Sequence, residues 1–90
     1  MKPVRWSPHA IDNLADREID REAAEKTLAN PEFVVPGQLP RQVLMRRYFD
    51  QVLQQDMLLR MVVEDTAIET IVITVYKTSQ IAKYLKGLVP

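Results

Sequence analysis

Three groups of residues have types and spacings suited to chemistry on a phosphate. His9, Asn13 and Arg17 recur at every fourth position, so on a helix they line one polar side a turn apart. The helix dipole in a first turn disfavours an imidazolium, which leaves His9 available as a neutral base. The run Thr74-Val75-Tyr76-Lys77-Thr78-Ser79 gathers hydroxyls and a cation at a strand-to-helix junction. Free backbone N–H groups at such a junction suit a phosphate, with Lys77 adding charge. Tyr84 and Lys83 follow one to two turns on. Arg60 stands inside the apolar run Met57–Val63. Because an unpaired guanidinium is expensive to bury, Arg60 is expected on an open sheet face, near Arg46 or Arg47 and Lys77, as part of an anion-binding surface. The same residues have plainer roles open to them: a solvated cation, a solvated histidine, and a Thr78 or Ser79 that merely caps a helix. No Walker loop, dinucleotide fingerprint, metal-ligand spacing or serine-nucleophile elbow occurs.

The elements that must position these residues fall into two styles. Ser7-Pro8 reads as an N-cap with proline at the first helical position, opening a helix that runs to about Arg17. Its apolar side is expected to hold Ala10, Ile11, Leu14 and Ala15. Asp20 caps a second helix with an Ala23, Ala24, Thr27 and Leu28 stripe and a Glu22/Lys26 i,i+4 pair, stopped by Asn30-Pro31. Only Glu18 and Ile19 separate the helices, which predicts an antiparallel hairpin. After Pro31 the style becomes β: the short run Phe33-Val34-Val35, then Gln42 to Phe49, Met57 to Val63 and Ile68 to Tyr76. Alternation along the last strand turns Ile71, Ile73 and Val75 inward and Val72 outward. The link containing Val52-Leu53 is expected to extend a strand or stand as an exposed apolar tip. A short closing helix is expected to bury Ile81 and Leu85, with Leu88 a further candidate, and Pro3 to Trp6 is a candidate edge strand. This order predicts an α+β fold, a helical hairpin packed on one face of a curved antiparallel sheet of three to four strands, with the other face free.

Ninety residues, 47% of them apolar, suffice for one hydrophobic core and one domain over 1–90. The absence of cysteine excludes a disulfide scaffold, a thiolate metal site and a cysteine nucleophile, and one histidine excludes a multi-histidine site. No metal or other cofactor is expected. No apolar run is long enough for a membrane span, and Met1 to Trp6 lacks the apolar run of a signal peptide, so a cytoplasmic location is expected. Twelve basic residues balance twelve acidic ones. Neutrality argues against strong non-specific RNA binding. Yet Arg41, Arg46, Arg47 and Arg60 face only Asp50 and Asp56 within residues 33–63, so the sheet is locally basic.

Trp6-Ser7-Pro8-His9-Ala10, then Arg17-Glu18-Ile19, then Val72 through Tyr84 together resemble a family of small bacterial domains related to RelE/ParE/BrnT-like toxins of toxin–antitoxin systems. The likeness runs from about Trp6 to Lys86. It implies a RelE/ParE-like fold whose concave sheet face meets the substrate. It further implies a metal-independent RNA endonuclease that positions a 2′-hydroxyl for attack on the adjacent phosphate, acting on RNA or the ribosome and held by a small antitoxin-type partner protein. Carried over, His9 is a general base or acid, Arg17 and Lys77 clamp phosphate, Thr78 contacts substrate, and Tyr84 stacks on a base or donates a proton. Arg60 joins Thr78 as a substrate-binding residue on the strand alternation, and Arg46 and Tyr76 are further substrate-binding candidates. The competing expectation is a non-catalytic protein-binding or homodimer-forming module, using the Leu58/Val62/Val72 side of the sheet or the Val52-Leu53 loop. The first reading predicts Arg60, Lys77 and the His9/Arg17 side on one concave surface. The second scatters them.

Overall fold

The computed structural model describes residues 2–88. They form β1 (Val4–Trp6), α1 (Pro8–Asp16), α2 (Arg21–Ala29), β2 (Phe33–Pro36), β3 (Arg41–Asp50), β4 (Gln55–Asp65), β5 (Thr70–Thr78) and α3 (Ile81–Leu85). The strands make one sheet in the order β1-β5-β4-β3-β2, parallel between β1 and β5 and antiparallel elsewhere. The class is α+β, but the sheet is mixed and has five strands rather than the three to four antiparallel ones expected. The candidate edge strand is real, and it runs parallel to β5 because the chain is tied to it at both ends: Thr70 N–H donates to Pro3 O and Ser7 N–H to Val72 O. Both rims of the sheet are short, three residues in β1 and four in β2, and β2 ends on Pro36.

Local chemistry explains the helices. Ser7 Oγ accepts the Ala10 N–H while donating to Ile73 O, so one hydroxyl starts α1 and fastens it to β5. The helix ends with the Ile19 N–H on Leu14 O and the Glu18 N–H on Ala15 O, a Schellman arrangement that puts Glu18 at φ 51°, where glycine is usual. Asp20 caps α2 by accepting the Glu22 N–H. The ion pair on α2 is Arg21–Glu25 at 3.1 Å instead of Glu22–Lys26, with the Arg21 guanidinium also lying over the Trp6 ring.

The contacts do not bear out the expected helical hairpin. α1 packs on β5 and α2 on β3 and β4, each seated mainly on the sheet. Ala10 and Ala24, both fully buried, let the two backbones approach it closely. The buried stripe of α1 is rotated from the one expected: Asn13 is buried, whereas Ile11 and Ala15 are exposed. The alternation in β5 also breaks. Val63 stands opposite Val72 and Val62 opposite Thr74, so Ile73 is an extra residue in a bulge. One inserted residue exchanges faces, and Val72 and Val75 both enter the helix-side core with Ile19, Leu44, Leu59, Met61 and Val63.

The opposite face is not free. α3 folds across it, and Leu85 joins Val43, Met45 and Leu58 in a second core bordered by Phe33, Val62, Ile81 and Tyr84. Leu58 and Val72 are each 0% exposed and lie on opposite faces, so the expected Leu58/Val62/Val72 contact patch does not form. Among the described residues no helix is long and apolar enough to cross a membrane.

Candidate functional site

Two polar constellations occupy opposite faces of the sheet. In the β4·β5 register Lys77 stands opposite Leu59, and Tyr76 opposite Arg60. Since neighbouring side chains alternate faces, Lys77 joins Leu59 under the helices while Tyr76 and Arg60 share the α3 side.

On the helix side the centre is Asp50, the last residue of β3. Its Oδ1 accepts the Val52 and Leu53 N–H groups at 2.9 and 3.0 Å, which fixes the turn to β4. Its Oδ2 accepts from Lys77 Nζ at 2.7 Å and from the Tyr48 hydroxyl at 3.0 Å. Lys77 also donates to Glu18 O at 2.9 Å. Burial alone raises the Asp50 carboxyl, but the hydrogen bonds from Lys77, the Leu53 N–H and Tyr48 outweigh it and bring its pKa down to about 2. Burial, reinforced by Asp50, pushes the Tyr48 hydroxyl up. With side-chain exposures of 11% and 3%, Lys77 and Asp50 form a buried and mutually neutralised pair. Lys77 therefore enters no open phosphate clamp. Asp50 and Tyr48 escaped the sequence reading; the signal for them was an aspartate at a strand end before a turn, with a tyrosine two residues earlier on the same face.

Asn13 and Arg17 complete the edge of β5 that β1 is too short to cover. Asn13 Oδ1 accepts the Val75 N–H at 3.0 Å and the Thr74 hydroxyl at 2.7 Å, and Arg17 Nη1 donates to Val75 O at 3.1 Å. Two of the three residues of the His9/Asn13/Arg17 stripe thus serve as a surrogate strand. His9 is exposed in the first turn of α1, and its side chain makes no hydrogen bond or ion pair among the described residues.

On the other face Arg60 lies between two tyrosines. Its Cζ is 4.1 Å from the Tyr84 ring centroid and 5.2 Å from that of Tyr76, its Nη1 donates to the Tyr76 hydroxyl, and its Nε meets Met45 Sδ at 3.3 Å. Lys83 Nζ approaches Tyr84 from α3 at 5.4 Å. Arg60 is half-buried, and among the described residues no carboxylate pairs with it. The other arginines of the basic segment differ. Arg41 pairs with Glu64 and Arg47 with Glu32, whereas Arg46, on the helix side opposite Leu59, donates to Asn30 O. Thr78 Oγ1 accepts the Gln80 N–H in the turn that leads to α3, a helix of five residues whose N-cap, Gln80, makes no side-chain capping bond.

The structure therefore brings together Arg60, Tyr76 and Tyr84, with Thr78 on the same face, and brings Arg17 and Lys77 together on the other. It does not unite His9, Arg17, Lys77 and Tyr84. A cleft of about 640 Å³ opens on the helix side between the start of α2 and the end of β3, lined among others by Asp20, Lys26, Arg46, Tyr48 and Phe49. Among the described residues no group of acids and histidine is arranged to hold a metal ion.

A family described as a domain of unknown function (DUF4258) matches residues 6–77, most of the chain. The chain belongs to the DUF4258 family. The match runs from the last residue of β1 almost to the end of β5, so the DUF4258 segment includes Arg60, Tyr76 and the Asp50–Lys77 pair, while Tyr84 and α3 lie beyond it. No curated protein and no solved structure matches the chain.

Proposed function

We propose that this DUF4258 chain is a cytoplasmic, RelE/ParE-like toxin-type domain that engages RNA on the sheet face carrying Arg60, Tyr76 and Tyr84. The observation that carries this reading is Arg60 itself, a half-buried guanidinium with a tyrosine on either side and, among the described residues, no carboxylate paired with it. An arginine held in this way keeps its charge for a phosphate, and tyrosine rings give single-stranded bases a surface to stack on. If the domain cleaves, Arg60 stabilises the charge developing on phosphorus as the neighbouring 2′-hydroxyl attacks, and Tyr76 or Tyr84 is the nearest hydroxyl to pass a proton to the leaving oxygen. A small antitoxin-type protein that covers this face would control it.

The test is cleavage of single-stranded RNA, free and on ribosomes, in the presence of a chelator. The wild type is to be compared with Arg60→Ala and Tyr84→Phe, and with His9→Ala and Arg17→Ala on the helix side. Loss of cleavage by about 100-fold or more in the first two, with the last two near wild type, fits this site. Equal activity in all five removes it. Co-purification of a small acidic protein bound in a way that Arg60→Ala weakens is the corresponding check on the partner.

A further inference from the structure

The turn between β3 and β4 carries an apolar cluster that the core does not use. Phe49, Val52 and Leu53 are 50%, 62% and 48% exposed, the last two side by side on the turn and Phe49 at the strand end leading into it. This is not a loose loop. Asp50 holds the Val52 and Leu53 N–H groups with one oxygen and the Lys77 ammonium with the other, and Gln54 N–H donates to Asp50 O at 2.7 Å. A buried ion pair thus fixes the backbone that presents exposed valine and leucine. Ordering of this kind lowers the entropy lost on association, and a rigid exposed apolar cluster is a usual mark of a binding surface.

Charge around the tip selects its occupant. From Asp50 to Met57 the chain has no cation. Asp56 stands across from Phe49 and has no ion-pair partner among the described residues. Glu18, Asp20 and Glu22 line the cleft that Phe49 and Val52 border, again without ion pairs among the described residues, against Lys26, Arg46 and Arg47, of which Arg47 is already neutralised by Glu32. The surroundings are therefore net acidic. Two copies meeting tip to tip would bring these carboxylates together, RNA would be repelled, and an anionic membrane surface likewise. We infer that the Phe49/Val52/Leu53 tip docks a basic polypeptide segment that sets apolar side chains on the tip and Lys or Arg beside Asp56 and the Glu18–Glu22 carboxylates. The inference does not rest on the RNA reading of Arg60.

The experiment is selection of displayed random 12-residue peptides on the immobilised folded protein, in parallel with a Val52→Ser/Leu53→Ser variant. Both positions are exposed, so the variant keeps its fold, which its unfolding midpoint verifies. Selected sequences rich in Lys or Arg with Leu, Ile or Phe, whose synthetic peptides bind the variant and Asp56→Lys at least tenfold more weakly, are the expected result. Selection of acidic or uncharged peptides overturns the inference, as does no enrichment over the variant. Concentration-dependent self-association that the variant abolishes overturns it in favour of a second copy, and binding to phosphatidylcholine vesicles that the variant abolishes overturns it in favour of a lipid surface.

Discussion

Lys77 Nζ lies 2.7 Å from Asp50 Oδ2 in a pair that is almost sealed from solvent, and the same ammonium reaches the Glu18 carbonyl oxygen. One residue therefore ties the end of β5 to the β3–β4 turn and to the link between α1 and α2. A lysine whose sequence context suggests a phosphate clamp is instead a structural keystone.

Removing one member strands the other as a buried charge, at a cost of about 3–5 kcal/mol. Asp50→Asn keeps an oxygen for the Val52 and Leu53 N–H groups but loses the charge and sets an NH2 donor where Oδ2 accepts from Lys77 and Tyr48, and Lys77→Met removes the ammonium. Each is expected to lower the free energy of unfolding in urea by that order, and the double variant by less than the sum. Single-variant losses below about 1 kcal/mol would show that the pair behaves as a surface contact.

Acid should expose the same pair. The Asp50 pKa falls from an ordinary 3.8 to about 2 on folding. A carboxyl held lower in the folded state stabilises it fully above the unfolded value and loses that contribution as pH falls from about 4 towards 2. The difference is roughly 2 kcal/mol. Stability measured from pH 6 to pH 2 should drop more steeply in the wild type than in Asp50→Asn, and parallel curves would refute the assignment.

Asn13→Leu should cost about 1–3 kcal/mol, because it leaves the buried Val75 N–H without an acceptor. Amide exchange read residue by residue is the sharper measurement: protection at Val75 should fall beyond the global change. A uniform loss across β5 would mean that Asn13 acts only through packing.

Glu18→Gly is expected to stabilise the fold by up to about 1 kcal/mol, since φ 51° is unfavourable for a residue with a Cβ. The Lys77 bond is to the Glu18 backbone and survives the change. A higher midpoint of thermal unfolding confirms this, and a lower one would show that the glutamate side chain supplies more than the backbone loses.

Salt dependence separates the two cationic faces. Arg60→Ala should reduce the slope of log affinity for single-stranded RNA against log salt by about 0.7, the share of one phosphate contact. Lys77→Met, measured below its unfolding temperature, should leave the slope unchanged because Asp50 already neutralises that charge. The opposite ranking would move the RNA site to the helix side.

The element order was legible because it depends on local signals. Ser7-Pro8 and Asp20 start the helices where the structure has them, and the apolar runs became β2 to β5 within a residue or two at most ends. What escaped depends on contacts distant in sequence. The bulge at Ile73 is invisible to period-two reasoning because every residue near it is apolar or β-branched, so either phase looks reasonable. Asn13 reads as a wet helix face until β5 supplies an N–H and a hydroxyl for it. The cost of burying a lone guanidinium predicts an open sheet face for Arg60 beside Arg46 or Arg47 and Lys77; the residue does stay out of the helix-side core, but α3 covers its face, and Arg46 and Lys77 point to the other one. The tyrosine neighbours of Arg60 required the register that sets Tyr76 beside it and the helix that lays Tyr84 over it.

The short rims of the sheet bear on behaviour at high concentration. A strand from another molecule would find only the few residues of β1, beside Lys2 and Arg5 paired to Asp65 and Glu69, or the few of β2, where Pro36 has no N–H to give. Along β5, Asn13 and Arg17 already occupy the ladder positions at Val75. Edge-to-edge growth into fibrils therefore has little template to start from, so a chain of zero net charge need not rely on electrostatic repulsion to stay dispersed.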